Sequence, residues 1–285
     1  MPSYLRTLLV LGRVSNLPTV WSNCLAGWWL AGGGNYGKLP WLFLGTSFLY
    51  VGGMFLNDAC DVEFDRQRRA ERPIPSGKIS RERVWQLGWG ALGCGIALLF
   101  FSSLTAGMLG IVLATCIFTY NLVHKFLTAS PWLMGACRFW VYVIAGTAGA
   151  GGLNGWPIFC GAALAFYIVG LSYVAKRESF RGPIPYWPLI FLAAPVILAM
   201  LLNTGGYRLH ALWISLVLTL WTARCVRPIF FGGEINVGRI VSNLLAGIVF
   251  VDWLAVAPDD SCWLAPVLLG LFGLTKLLQK FVPAT

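Results

Sequence analysis

The chain has 285 residues, of which 58% are hydrophobic and only 11% carry a charged side chain. Soluble domains are about 45–50% apolar and roughly 25% charged, so this composition excludes an ordinary soluble globular protein. The net charge of +10 is spread over several short polar segments, which argues against nucleic acid as a partner and predicts contact with membrane lipid headgroups.

Ten apolar segments follow one another along the chain, each close to the roughly 20 residues that a helix needs to cross a bilayer. Their apolar runs are continuous and do not alternate, which predicts helices and not the strands of a barrel. The expected architecture is all-α: one polytopic membrane domain over residues 1–285, with nine to ten transmembrane helices. The predicted spans are 15–32, 40–62, 83–102, 105–122, 132–150, 156–175, 186–203, 209–225, 238–256 and 262–280.

The spacing of the spans and the position of the basic residues predict an orientation. When each span crosses the membrane and the N-terminus is inside, all of the 21 basic residues except Lys38 and Arg208 fall on the inner side. This asymmetry is what the positive-inside rule requires. We therefore expect an integral multi-pass protein of a bacterial plasma membrane, with its N-terminus in the cytoplasm. Only four residues, 102–105, link the third and fourth spans, which predicts a tight helical hairpin.

The second span ends in a cluster of acids. Asp58, Asp61 and Asp65 are spaced by three and four residues, and Asn57 lies four residues before Asp61, so a helix would place all four side chains on one side. Like charges at this spacing repel, so a cation is expected among them. Oxygen ligands of this kind suit Mg²⁺, which takes one or two carboxylates together with water and substrate phosphates. The alternative is a structural cluster in which the acids pair with nearby arginines.

A basic loop follows the acids directly. Four arginines come within seven residues of Asp65, and Arg72 begins the proline-containing segment RPIPSGK, residues 72–78. Carboxylates that hold a metal, beside guanidinium groups that hold phosphate oxygens, are the components of a diphosphate site.

These two segments together resemble a known family. The pattern N-D-x-x-D-x-x-x-D at Asn57–Asp65, followed by RPIPSGKIS at Arg72–Ser80, is similar to the first aspartate-rich motif of the UbiA superfamily of intramembrane prenyltransferases. Weaker matches are Arg13 with Asn16 in the first span, the pair Tyr120 and Asn121 with Lys125 after the fourth span, and Tyr173 with Lys176 at the end of the sixth.

The resemblance implies a helical bundle around a lipid-accessible central cavity, and an enzyme that moves a prenyl group from a prenyl diphosphate to a lipophilic, often aromatic, acceptor. It implies Mg²⁺ held by Asn57, Asp58, Asp61 and Asp65. The three aspartates and Glu178 would be catalytic. The diphosphate would be bound by Arg13, Asn16, Asn57, Arg72, Lys125, Lys176, Arg177 and Arg181. Neither the acceptor, the prenyl length nor the oligomeric state has a signature in the sequence.

The sequence departs from the family at the inner end of the sixth span, where a second acidic motif is usual. Glu178 is the only acid there, and three cations, Lys176, Arg177 and Arg181, surround it. A second metal ion among these charges is electrostatically unfavourable. We favour a divergent one-metal enzyme in which the arginines neutralise the diphosphate directly. The alternatives are a terpene cyclase of the same fold and a non-catalytic prenyl-diphosphate binding or transport protein.

Two ionisable residues fall inside predicted spans. Asp252 in the ninth span and Arg138 near the start of the fifth would be unfavourable in lipid, so both are expected to face the bundle interior. Together with Tyr120, Asn121 and Tyr173, they are the candidates for the acceptor or cavity wall. His124, in contrast, is interpreted as an interfacial residue and not as a catalytic base.

Overall fold

A computed structural model describes residues 3–179, 186–202, 207–231, 235–257 and 263–284, and every regular element among them is helical. This confirms the predicted all-α class. Three short 3₁₀ segments, Val14–Asn16, Tyr36–Lys38 and Trp187–Ala193, accompany the α-helices. The α-helices are α1 Ser3–Leu11, α2 Leu17–Leu30, α3 Leu39–Cys60, α4 Val62–Arg68, α5 Arg81–Ser102, α6 Leu104–Val123, α7 Ser130–Gly146, α8 Gly155–Ser179, α9 Ala194–Leu202, α10 Tyr207–Phe231, α11 Val237–Ala255 and α12 Leu264–Leu278.

Six helical segments within the described residues are long and apolar enough to cross a membrane: Tyr36–Cys60, which contains α3, and those in α5, α6, α8, α10 and α11. Each of the other four predicted spans coincides with a shorter helix, namely α2, α7, α9 with its preceding 3₁₀ segment, and α12. The predicted count of nine to ten transmembrane helices is therefore not confirmed, although the position of each helical segment is.

The predicted hairpin between the third and fourth spans is confirmed. Helix α5 ends at Ser102 and α6 begins at Leu104, so one residue connects them. The hydroxyl of that residue, Ser103, accepts a hydrogen bond from the backbone amide of Ala106 at 3.0 Å. A serine that caps the first turn in this way satisfies a helix donor that would otherwise lack a partner.

Helix α3 packs closely against α5 because glycines face each other along the contact. A Cβ atom placed on Gly52 of α3 would lie 2.9 Å from the carbonyl oxygen of Gly88, and one on Gly95 of α5 would lie 2.8 Å from the carbonyl oxygen of Gly45. The two backbones therefore touch, as small residues allow at helix interfaces in membranes. This contact fixes α3, whose final turn carries the acidic cluster.

The C-terminal tail returns to the start of the bundle. After α12 ends at Leu278, the chain runs back to the 3₁₀ turn Val14–Asn16. There the Ser15 hydroxyl donates to the carbonyl of Pro283 at 3.5 Å, and the Asn16 amide donates to the carbonyl of Ala284 at 3.0 Å. The tail thereby becomes part of the wall of a central cavity.

Candidate active site

A cavity of about 260 Å³ lies between α2, α3, α6, α7, α8 and α11. Most of its wall is apolar, and one end is charged. The apolar wall includes Val20, Leu49, Leu113, Ile117, Val141, Ile168, Leu171, Val241 and Leu245. The charged end is formed by the last turn of α3, the short helix α4, the loop that contains Arg72 and the end of α6.

The acids lie across a helix break. Helix α3 ends at Cys60 and α4 begins at Val62, with Asp61 at the junction. The helical hydrogen-bond pattern of the backbone nevertheless continues. The Asp61 backbone amide donates to the Asn57 backbone carbonyl at 3.0 Å, and the Asp65 backbone amide donates to the Asp61 backbone carbonyl at 2.9 Å. The prediction of three acids on one continuous helix face therefore requires correction, although the break leaves them close together. Asp61 and Asp65 line the cavity, while Asp58 is buried just behind its wall.

Two arginines pair with these acids from different parts of the chain. Arg72 Nη1 lies 3.3 Å from Asp58 Oδ1 and 2.9 Å from Asp65 Oδ2, so one guanidinium bridges two carboxylates. Arg13 Nη2 lies 3.3 Å from the same Asp58 oxygen and 3.5 Å from Asn57 Oδ1. Arg13 has a left-handed backbone, with φ 43° and ψ 46°, which is unfavourable for a residue other than glycine by about 1 kcal/mol. The turn at this residue brings the arginine to the acids.

Asp61 pairs with the end of α6. Lys125 Nζ lies 2.8 Å from Asp61 Oδ1, and His124 Nε2 lies 3.3 Å from the same oxygen. The His124 ring stacks on Tyr120, with centroids 5.1 Å apart, and both residues line the cavity. His124, interpreted from the sequence as an interfacial residue, thus also contacts the acid cluster and lines the cavity. The signal that was available is its spacing, because positions 120, 121 and 124 share one face of a helix.

The surroundings shift the pKa of these groups in different directions. Burial by itself raises the pKa of Asp61, but His124 and Lys125 outweigh burial and hold it below its ordinary value. For Asp65, burial outweighs the contact with Arg72, so its pKa is above the ordinary value. For Arg13, burial acts to lower the pKa, but the neighbouring acidic groups, of which Asp58 has the largest effect, together outweigh burial and the pKa is raised. Asp61 is therefore the more firmly ionised of the two cavity acids.

Asn57 and Asn121 connect the acid helix to α6. The Asn57 amide donates to Asn121 Oδ1 at 3.2 Å, and the Asn121 amide donates to the carbonyl of Gly53 at 3.0 Å. These bonds use the nitrogen of Asn57 and leave its oxygen on the side of Arg13. The predicted pair Tyr120 and Asn121 thus lies at the acid cluster, where Asn121 orients the side-chain oxygen of Asn57, a candidate metal ligand.

The donor set at this end of the cavity suits Mg²⁺. Among the described residues, no three His, Cys, Asp or Glu side chains converge on one point, because each aspartate is turned towards a cation. Mg²⁺ needs only one or two carboxylates when substrate phosphates supply further oxygens. Carboxylates that turn to a metal would release Arg13, Arg72 and Lys125 to phosphate oxygens, so the residues present fit a metal–diphosphate pair.

The residues of the altered second motif are less completely described. Lys176 lines the cavity, and its Nζ donates to the carbonyls of Leu127 at 2.8 Å and Thr128 at 3.3 Å. Arg177 does not line the cavity formed by the described residues. The side chain of Glu178 and the whole of Arg181 lie outside the described residues.

Two residues expected at the cavity lie elsewhere in the described structure. Tyr173 packs against Trp187, with ring centroids 5.0 Å apart, and does not reach the cavity. Asp252 is fully buried and also misses the cavity, because its carboxylate accepts hydrogen bonds from Ser22, Asn23 and Tyr142. Arg138 lines the cavity as expected, and so does Tyr50, which no sequence motif indicated.

Comparison with known proteins places this geometry in context. The model of the UbiA prenyltransferase family matches residues 18–227. A digeranylgeranylglyceryl phosphate synthase of Methanopyrus kandleri is 26% identical over 204 residues, which cover 55% of this chain and 73% of that protein. A 4-hydroxybenzoate octaprenyltransferase of Burkholderia mallei is 36% identical over 103 residues, covering 35% of this chain and 34% of that protein. The structure of a UbiA homolog from Archaeoglobus fulgidus bound to DMAPP and Mg²⁺ superposes with a TM-score of 0.53 at 15% identity, covering 97% of this chain and 99% of that one.

Proposed function

Because the chain belongs to the UbiA prenyltransferase family, we propose that this integral membrane protein transfers a prenyl group from a prenyl diphosphate to a lipophilic acceptor. The observation that carries the proposal is the set of ion pairs joining three aspartates to Arg13, Arg72 and Lys125 at one end of an apolar cavity. The solved homolog bound to DMAPP and Mg²⁺ supports the same ligands for this chain.

In this proposal Asn57, Asp58, Asp61 and Asp65 hold Mg²⁺. When bound, the ion neutralises the charge that develops on the diphosphate as the carbon–oxygen bond of the donor breaks. Asp61 and Asp65 are the acids that line the cavity, so they are the ones placed to contact both the ion and the diphosphate. Asp58 is buried behind the wall, and besides its place in the metal site it orients Arg13 and Arg72.

The cations bind the phosphate oxygens. Arg13, Arg72 and Lys125 already lie at this end of the cavity, where they would exchange their carboxylate partners for phosphate oxygens and stabilise the leaving group. Lys176 lines the cavity on the opposite helix, α8, and is a fourth cation within the same space. Lys176 at the cavity wall takes the place of a second metal, which makes this a one-metal enzyme, whereas Arg177 does not line the cavity formed by the described residues. Asn16 lies next to Arg13 at the charged end of the cavity.

The apolar part of the cavity holds the prenyl chain and the acceptor. The electron pair of the broken bond leaves with the diphosphate, a nucleophilic atom of the acceptor bonds to the allylic carbon, and the acceptor then loses a proton. Aliphatic walls keep water from the cationic carbon. Tyr120 lines the cavity and stacks on His124 near the acids, where its aromatic face would stabilise positive charge.

We also propose that the charged end faces the cytoplasm and that nine to ten helices cross the membrane. The support is the distribution of basic residues, which places Lys38 and Arg208 opposite the other 19 of the 21. The polar diphosphate then enters from the aqueous side on which the basic residues create a positive potential.

The test is diphosphate release by the purified protein with Mg²⁺ and geranyl or farnesyl diphosphate, against Asp61→Asn and Asp58→Asn. Both substitutions keep the shape of the side chain and remove its charge, so release should fall about 100-fold or more. Glu63→Gln is the matched control, since Glu63 lies on the same short helix but is 71% exposed and pairs with Arg66. Release that persists in both aspartate variants would remove these acids from the reaction.

A further inference from the structure

Helix α11 carries a polar contact on the face that points away from the central cavity. Val241 and Leu245 line the cavity, whereas Asn243, two positions from each, does not, because residues two apart on a helix point to nearly opposite sides. On this far face Trp221 Nε1 of α10 donates to the Asn243 carbonyl at 2.9 Å. Lys276 Nζ of α12 donates to Asn243 Oδ1 at 2.7 Å. Three helices therefore meet at one asparagine outside the cavity.

Lys276 is a partly buried cation at this meeting point, and its hydrogen-bonding capacity is not filled by the protein. An ammonium group has three N–H donors. One donates to Asn243 and a second to Gln279 Oε1 at 3.2 Å, and both of these acceptors are neutral. Among the residues that the structure describes, the third N–H has no partner and no carboxylate pairs with this lysine. A cation withdrawn from water without an anion is unfavourable unless another group supplies the charge.

Arg224 brings a second positive charge to the same place. It lies three residues after Trp221 on α10, so the two side chains share one side of that helix. Arg224 and Lys276 both act electrostatically on the buried thiol of Cys225, so the two charges lie close to the same residue. The Arg224 side chain is exposed and has no ion pair within the described part of the chain. We term this cluster the basic junction, and its members are Arg224, Asn243, Lys276 and Gln279.

The segments that build the basic junction carry a large excess of positive charge. Residues 221–243 and 271–285 contain five basic side chains and a single acidic one, Glu234, which lies outside the described residues. The five are Arg224, Arg227, Arg239, Lys276 and Lys280. One carboxylate cannot neutralise five cations, so the charge of this region favours an anionic ligand.

The surroundings of the basic junction are those of a membrane lipid. Trp221, Phe250 and Phe272 pack together with ring centroids 4.6 to 5.8 Å apart, nearer to the middle of their helices than the two cations. Leu220 and Leu277, which flank the junction, are 61% and 49% exposed. A ligand at this point would therefore have its charge at the helix ends and hydrocarbon along the apolar helix surfaces.

We propose that the basic junction binds the phosphate of an anionic membrane phospholipid. The phosphate oxygens would accept hydrogen bonds from the third N–H of Lys276 and from the Arg224 guanidinium, and the acyl chains would lie against the exposed leucines. Basic pockets between transmembrane helices are suited to such headgroups. No member of the junction lines the central cavity, so the site is separate from the proposed prenyl-transfer site and does not depend on it.

The test is native mass spectrometry of the purified, delipidated protein with phosphatidylglycerol, compared with phosphatidylcholine of the same acyl chains. The variants are Arg224→Gln and Lys276→Met. Arg224 is exposed, so its replacement leaves the fold intact and decides the matter even where Lys276→Met does not fold. Arg83→Gln is the matched control, because it removes one exposed charge at the end of α5, away from the junction. A further arm adds inorganic phosphate in excess over phosphatidylglycerol.

The first phosphatidylglycerol should bind wild type and Arg83→Gln about 10-fold more tightly than phosphatidylcholine does. Each junction variant should weaken phosphatidylglycerol binding by about 5-fold and leave phosphatidylcholine binding unchanged. Equal binding of the two lipids by wild type, unchanged phosphatidylglycerol affinity in either junction variant, or an equal loss in Arg83→Gln would overturn the proposal. Displacement of the lipid by inorganic phosphate would also overturn it, because the site would then take free phosphate and not a lipid.

Discussion

At the scale of single residues, the acid cluster is held in position by cations contributed from three separate segments. Arg13 comes from the turn before α2, Arg72 from the loop after α4, and Lys125 from the end of α6. Each carboxylate is therefore oriented by a cation that lies within 3.3 Å of one of its oxygens. Such preorganisation reduces the rearrangement needed when a charged substrate binds.

The pair between Lys125 and Asp61 predicts a dependence of stability on pH. Because the folded protein lowers the pKa of Asp61, this pair stabilises the fold fully above the ordinary aspartate pKa of about 3.9, and the stabilisation is lost as the pH falls through the lowered value. Lys125→Met should lower the Tm of the metal-free protein at pH 7, and the difference from wild type should shrink at pH 3.

The control for this prediction is Arg66→Met. Arg66 pairs with Glu63, but both side chains are more than half exposed, so its loss should change the Tm little at either pH. A Lys125→Met difference of the same size at pH 7 and pH 3 would show that packing, and not the charge of Asp61, causes it.

The hydrogen bonds of Asp252 predict an effect of this single residue on the stability of the fold. Its carboxylate accepts from Ser22 and Asn23 of α2 and from Tyr142 of α7, which ties three helices together. Asp252→Ala leaves these buried donors without a partner and should reduce the free energy of unfolding by about 2–4 kcal/mol. Asp252→Asn keeps an acceptor oxygen and should lose less than half of that. Unfolding in detergent measures both, and equal losses would contradict the network.

The residues that the sequence could predict are those with a local signature. The spacing of Asp58, Asp61 and Asp65 and the following basic loop indicated a charged site, and the structure brings these residues to one cavity end. The partners of Asp252 could not be predicted, since Ser22 lies 230 positions away and has no motif. His124 was missed because aromatic residues near a helix end are common at membrane interfaces. Tyr50 was missed because it lies in the middle of α3 and belongs to no motif.

At the scale of elements, the contact of α3 with α5 positions the acids, and its glycines make a direct prediction. Gly95→Ala places a Cβ atom 2.8 Å from the Gly45 carbonyl, so the helices must separate, at about 1–3 kcal/mol of stability. Gly93→Ala on the same helix meets nothing within 4 Å and should leave the Tm unchanged or higher. Equal Tm values for the two variants would contradict the close packing.

Removal of the C-terminal tail is predicted to change the product of the reaction. Ala284 lines the cavity and bonds to Asn16, so a chain ending at Lys280 should admit water and release several-fold more prenyl alcohol from the donor. Phe281→Ser is the control, because Phe281 belongs to the same tail but is 67% exposed. Prenyl alcohol formation is measured with donor and Mg²⁺ alone, and equal yields from the truncated and intact chains would exclude the tail as a cavity wall.

The elements were largely predictable because continuous apolar runs specify membrane helices. The break in the helix at Asp61 could not be predicted, because neither glycine nor proline occurs there and the backbone hydrogen bonds on both sides are nearly helical. The return of the tail to Ser15 was also unpredictable, because tertiary packing and not a local pattern determines it.

At the scale of the whole molecule, the chain combines a charged end with an apolar interior. The cavity lies among six helices, so its walls are built from segments far apart in sequence, and the acids lie at its charged end. Among the residues that the structure describes, Asp252 and Arg138 are the buried charged residues away from that end, and both are held by α2. The fold therefore separates the part that binds charge from the part that holds hydrocarbon.

The most direct test of the account is calorimetric titration of geranyl thiolodiphosphate, a slowly reacting donor analogue, into purified protein with and without Mg²⁺. We predict binding that requires Mg²⁺ and weakens roughly 10-fold or more in Asp61→Asn, while Glu63→Gln binds as wild type does. Equal affinity in the presence of a chelator, or unchanged affinity in Asp61→Asn, would contradict the assignment of these acids to a metal–diphosphate site.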